Sequence, residues 1–96
     1  MSLKEGLNKM KAVIAKAMMA DLGRGEFVTY MQEVYPIELS INHTIANLQD
    51  WTSTKLLDTP IFIGPGYTYL QPEPLGVICI MGAWNQPFYS IFNPLV

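Results

Sequence analysis

Cysteine and histidine occur once each in the 96 residues, as Cys79 and His43. A lone cysteine excludes a disulfide framework and a cysteine-rich zinc site, and one histidine beside it makes no metal cluster, so no metal is expected. Charge is scarce as well. Charged residues make up 15% of the chain, against about a quarter of an average soluble domain. Six basic and eight acidic side chains leave a net charge of -2 and a pI near 5.1, so nucleic acid is not an expected partner. Long apolar runs are missing too. The longest uncharged apolar stretch, Leu75 to Trp84, is about half the roughly 20 residues that a membrane-spanning helix needs. Lys9, Lys11 and Lys16 interrupt the stretch where a signal peptide would carry its apolar segment. The expected compartment is the cytoplasm.

What the chain does have is apolar surface in the wrong place for a free-standing domain. It is 50% hydrophobic, with a mean hydropathy of +0.20, and a domain this small leaves about a third or more of its unfolded-chain surface exposed. From Thr59 to Val96 the only charged side chain is Glu73, yet six of the seven prolines lie there. A stretch so apolar must be covered, either by a second subunit or by the rest of a larger protein. The larger protein is the expectation.

The first half predicts two antiparallel helices, over about 3–21 and 26–55. Leu3, Leu7, Met10, Ile14 and Met18 recur at the three- and four-residue spacing of an apolar helical stripe. Ser2 and Glu5 are spaced as a capping box, and Gly23 suits the left-handed residue that closes a helix. In the second helix Phe27, Tyr30, Met31, Val34, Ile37, Ile41, Ile45 and Leu48 keep the period. Glu33, His43 and Asp50 fall off that stripe and are expected in solvent. Pro36 removes a backbone donor inside the pattern, so a kink or solvated bend is expected there.

The second half predicts extended chain. Ile61-Phe62-Ile63 and Tyr67-Thr68-Tyr69-Leu70 flank Gly64-Pro65-Gly66, the form of a β-hairpin across 61–70. Gly64 and Gly66 open no helix and have no basic partner, so they read as a turn and not as a phosphate loop. Residues 76–81, Gly-Val-Ile-Cys-Ile-Met, read as a strand buried on both faces of a parallel sheet. Pro87 then suits the first turn of a following helix. The fold class is α/β, in three parts: a helical part over 1–58, a hairpin arm and linker over 59–74, and from 75 to 96 the opening of a sheet domain.

Composition and spacing name no active site. Cys79 sits inside the apolar run with no cation or histidine near it in sequence, which reads as a buried, inert cysteine. Asn85 is the more telling polar residue. It follows the expected strand at its carboxyl end, where open α/β sheets bind ligands, and a carboxamide there can donate to an oxyanion. Spacing alone favours the plainer alternative, that Asn85 caps the next helix.

Several segments resemble a known family. Asp21-Leu22-Gly23-Arg24, Glu26-Phe27 and Tyr30, Thr59-Pro60, the run Tyr69-Leu70-Gln71-Pro72-Glu73-Pro74-Leu75-Gly76-Val77-Ile78, and Gly82-Ala83-Trp84-Asn85-Gln86-Pro87-Phe88 resemble the N-terminal part of aldehyde dehydrogenases, in the class 3 and fatty aldehyde branch. The resemblance runs from about Leu7 to Val96. It implies an enzyme that oxidises aldehydes to carboxylic acids with NAD or NADP, of which residues 75–96 begin the cofactor-binding domain. Met81, Gly82, Ala83, Trp84 and Asn85 would face the cofactor, largely through backbone. Asn85 matches the asparagine that stabilises the tetrahedral intermediate formed when the catalytic cysteine attacks the aldehyde, so the resemblance overrides the capping alternative. The 61–70 hairpin matches the arm that joins subunits into a homodimer. The partners implied are an aldehyde and the remainder of an enzyme chain.

Three departures stand out. The family usually has proline where Ala83 stands and an aromatic or aliphatic residue where Gln86 stands, and the first helix is short, as if residues were missing between Ile14 and Ala17. The nucleophile and general base match nothing between Met1 and Val96, and Cys79 is not at the nucleophile's position. These 96 residues alone are therefore expected to be inactive. The rival expectation is a non-catalytic helix-and-hairpin module that binds a partner through its apolar second half.

Overall fold

A computed structural model describes residues 2–96, which divide into two compact units: 2–44 with 79–96, and 45–78. The first unit is built on α1, Leu3–Leu22. Ser2 and Glu5 form the expected capping box, each side chain accepting from the other's backbone N–H. Gly23 closes the helix at φ 63°, where a side chain would be strained. α1 runs unbroken through Ile14 to Ala17.

The second helix is composite. α2, Glu26–Thr29, passes through a π-helical turn, Tyr30–Val34, into α3, Tyr35–Thr52. Pro36 is the reason for the wide turn. It has no N–H and its ring crowds the carbonyl four residues back, and the turn just before it loosens to let the Tyr35 N–H reach the Tyr30 carbonyl. The expected kink is thus taken up as one π turn. The wide turn also disturbs the phase of the stripe. Val34, Ile37 and Ile41 are buried as expected, but Phe27, Met31, Ile45 and Leu48 are exposed, while Thr29 and Glu33 are buried.

α1 and the composite helix run antiparallel, stitched by Lys4 to Asn42 at 2.7 Å and Lys11 to Glu38 at 2.6 Å. Between them Leu7, Ile14 and Met18 of α1 meet Val34, Ile37 and Ile41. A final short helix, α4, Tyr89–Leu95, follows Pro87 and lays Phe88, Tyr89, Phe92 and Val96 against this core. Ser40 donates to the Asn93 carboxamide oxygen at 2.6 Å and ties α4 to α3.

The 45–78 unit corrects the hairpin. Its two strands are β1, Lys55–Leu57, and β2, Thr68–Leu70, antiparallel with Lys55 opposite Leu70 and Leu57 opposite Thr68. Residues 61–63, expected as the first strand, form a 3₁₀ turn instead. Pro60 leads into it at φ -57°, and a short run between Pro60 and Pro65 has no room for a ladder. Lys55, expected at the end of a helix, is in β1 because α3 stops at Thr52. Thr59 accepts from the Thr68 N–H at 2.9 Å and closes the loop between the strands.

The strand expected at 76–81 finds no partner strand among the described residues. Those residues join no ladder among the described residues, Val77 is fully exposed, and Cys79 is exposed where a buried cysteine was expected. A parallel strand exists only with partners on its edges, and none of the described segments supplies one. Among the described residues, no helix is long and apolar enough to cross a membrane.

Candidate functional site

The segment from Met81 to Pro87 leaves the exposed 76–81 run and turns into α4. Met81, Gly82, Ala83, Trp84 and Asn85, consecutive residues, are all exposed on this turn. Trp84 is 81% exposed.

The turn is held by its backbone. Ala83 donates its N–H to Ser90 Oγ at 3.0 Å. The Asn85 carbonyl accepts from Arg24 Nη2 at 2.8 Å. Behind it, Glu33 Oε2 accepts the N–H groups of Phe88, at 3.2 Å, and Tyr89, at 2.8 Å. Glu33 Oε1 pairs with Arg24 Nη1 at 2.5 Å. Glu33 was expected in solvent and is instead completely buried. A buried carboxylate needs partners for its lone pairs, and the Arg24 fork and two α4 amides supply them.

These contacts bear on the capping reading of Asn85. The residue that precedes α4 is Phe88, and no side chain of that segment caps the helix. The carboxylate of Glu33 does so from outside. Among the described residues the Asn85 carboxamide makes no hydrogen bond, and only its main-chain oxygen is committed. It does not serve as the cap.

Gly82 is required where α4 crosses the turn. A Cβ there would overlap the Ile91 side chain and lie 2.8 Å from Ser90 Oγ. Gly82→Ala is expected to lower stability by about 1–3 kcal/mol through overpacking. Urea unfolding measures it, and an unchanged midpoint would mean that α4 yields freely.

Tyr30, half-buried, donates to Glu38 at 3.2 Å. Desolvation first, and the Glu38 charge second, hold its phenol above the ordinary value, so it remains a donor. His43 is exposed on α3. Among the described residues no group of histidine, cysteine, aspartate and glutamate is placed to hold a metal ion. The grooves flanking α4 are lined by Leu3, Leu7 and Met10 or by Val13, Ile14 and Met18, each with Phe88 and Phe92. None of residues 81–85 lines them.

Sequence reasoning missed Arg24 and Glu33 as residues of the site. The available signal was an arginine directly after a helix-closing glycine, inside one of the segments that carry the resemblance.

No family model matches the chain. It is 33% identical over 95 residues to an aldehyde dehydrogenase family 3 protein of Dictyostelium discoideum, covering 99% of this chain and 20% of that protein. It is 35% identical over 95 residues to aldehyde dehydrogenase family 3 member A2 of Pongo abelii, with the same coverage. The 4,4'-diaponeurosporen-aldehyde dehydrogenase of Staphylococcus aureus is 32% identical over 94 residues, 98% of this chain and 20% of that one. A solved structure of Staphylococcus aureus AldH in a substrate-bound state superposes with a TM-score of 0.92 at 32% identity, over 95% of this chain and 20% of that chain. The chain thus spans about a fifth of the length of the curated relatives it matches. In sequence it is similar to the N-terminal part of family 3 aldehyde dehydrogenases, and in backbone to part of the Staphylococcus aureus AldH structure.

Proposed function

We propose that this chain forms the N-terminal part of an oxidoreductase that oxidises aldehydes to carboxylic acids with NAD or NADP. The observation that carries the reading is the exposed 81–85 turn, rigidly backed and with an uncommitted Asn85 carboxamide, in a chain that follows aldehyde dehydrogenases in sequence and backbone. On this reading residues 75–96 open the cofactor-binding domain, and the 76–81 run gains its ladder from strands supplied by the rest of the enzyme.

The turn suits one wall of a cofactor site. The Trp84 ring faces solvent, and the backbone of Met81 and Gly82 is accessible and outside any ladder. When bound, the nicotinamide cofactor supplies the hydride acceptor. This chain's own part is to orient: the backbone of Met81 to Trp84 borders the cofactor, and Asn85 donates its carboxamide N–H to the oxyanion that develops on the aldehyde carbon's oxygen. One related rat enzyme is named as dimeric and NADP-preferring. We assign the same homodimeric habit here to the 61–70 arm, whose Ile61, Phe62 and Tyr67 are nearly fully exposed.

That exposure also favours the second reading, a non-catalytic helix-and-hairpin module that binds a partner through its apolar second half. The discriminating experiment is aldehyde-dependent reduction of NAD or NADP, followed by absorbance, for the full gene product and for residues 1–96 alone. Turnover by the full product and none by residues 1–96 is expected. Absence of turnover with either cofactor over a panel of aldehydes would overturn the enzyme reading.

A further inference from the structure

We propose that Arg24 and Glu33 are positioning residues for the reaction: a two-residue clamp, far away in sequence, that fixes the backbone from which Asn85 projects. The inference rests on the oxyanion role given to Asn85 above. Its structural part rests on contacts alone.

Arg24 lies just after the Gly23 cap of α1, and its guanidinium fork bridges two elements. Nη1 pairs with Glu33 Oε1 at 2.5 Å and Nη2 donates to the Asn85 carbonyl at 2.8 Å. Glu33 spends its other oxygen on the Phe88 and Tyr89 N–H groups. The Ala83 N–H is fixed separately by Ser90. The turn is therefore held before Asn85, at Asn85 and after it, all through main-chain atoms. The contact made by Arg24 is to the same residue whose carboxamide must reach the oxyanion. Only a planar guanidinium spans both acceptors; a lysine ammonium is a point charge on a flexible stem.

A second property argues for a device and not for a general brace. Glu33 is fully buried and the Arg24 side chain is 19% exposed, so the clamp is shielded from competing water. Yet the residue it holds is exposed. The rigid partners are inside and the chemistry-bearing group is outside, as a preorganised donor requires.

The test uses the full gene product with Arg24→Met, Arg24→Lys, Glu33→Gln and Asn85→Ala. A displacement near 1 Å is worth about 10²-fold in rate, so Arg24→Met and Glu33→Gln are expected to lower kcat by roughly 10–100-fold. KM for the cofactor should hold, and Arg24→Lys should recover little. Arg24→Met added to Asn85→Ala should cause no further loss, because the clamp acts through Asn85. Hydrogen exchange of the 83–89 peptide, with the fold checked by circular dichroism, should quicken in both clamp variants. Unchanged exchange, or a loss that multiplies with that of Asn85→Ala, would overturn the proposal. Full turnover in Asn85→Ala would instead overturn the oxyanion reading, and the exchange rates would then decide the clamp by themselves. Glu33→Gln, which keeps an acceptor oxygen, serves if Arg24→Met does not fold.

Discussion

Asn85→Ala in the full gene product is expected to lower turnover by roughly 10²–10³-fold, the usual consequence of removing one oxyanion donor. The structure makes this a clean substitution. The Asn85 side chain is exposed and, among the described residues, makes no hydrogen bond within the chain. The contact that anchors the residue uses its carbonyl oxygen, which alanine retains. The α4 amides depend on Glu33 and lose nothing. Stability should therefore stay within about 0.5 kcal/mol, the ordinary range for a surface substitution. Cofactor affinity should also hold, because the turn's expected cofactor contacts are main-chain. Initial rates of NAD(P)H formation and a thermal melt check both halves. Intact turnover with a lowered Tm would return Asn85 to a purely structural part.

The elements that could be read from the sequence are those decided locally. α1 announces itself by an apolar stripe, a capping box and a helix-closing glycine; the box and the glycine stand, and of the stripe Leu7, Ile14 and Met18 are buried while Leu3 and Met10 are exposed. The misreadings share one cause, partners distant in sequence. Residues 61–63 carry two isoleucines and read as a strand, but β propensity expresses fit to a pleated, half-buried surface, and none is offered there. Lys55-Leu56-Leu57 lacks β-branched residues, yet it pairs because β2 returns beside it. The 76–81 run has the composition of a strand buried on two faces, and its burial depends on strands that the described residues do not include. Glu33 was placed in solvent by a period that the π turn breaks, and its partners are nine and more than fifty residues away. The candidate turn lies in the Gly82 to Phe88 segment that carries the resemblance. What holds that turn could not be read from the sequence.

The largest effect on stability is expected at Glu33. Glu33→Ala removes a fully buried carboxylate and leaves the Arg24 guanidinium, itself mostly buried, without its counter-charge. Breaking a buried pair from one side costs about 3–5 kcal/mol, mainly because the remaining charge stays desolvated. The N–H groups of Phe88 and Tyr89 lose their acceptor in the same step, and each buried, unpaired donor adds about 1–3 kcal/mol unless water reaches it. Against a total stability of about 5–15 kcal/mol, the clamp variant should be on the edge of unfolding. Glu38→Ala supplies the comparison. Its ion pair with Lys11 is about as short, at 2.6 Å, but Lys11 is 36% exposed and Glu38 17%, against 19% and 0% for Arg24 and Glu33, and a pair open to water on its lysine side is worth about 1 kcal/mol or less. Both residues lie on the composite second helix, and the two substitutions remove the same number of atoms. A urea midpoint lowered far more for Glu33→Ala than for Glu38→Ala is therefore a measure of burial and hydrogen bonding at the clamp, and equal midpoints would show that the Arg24–Glu33 contact holds nothing in place.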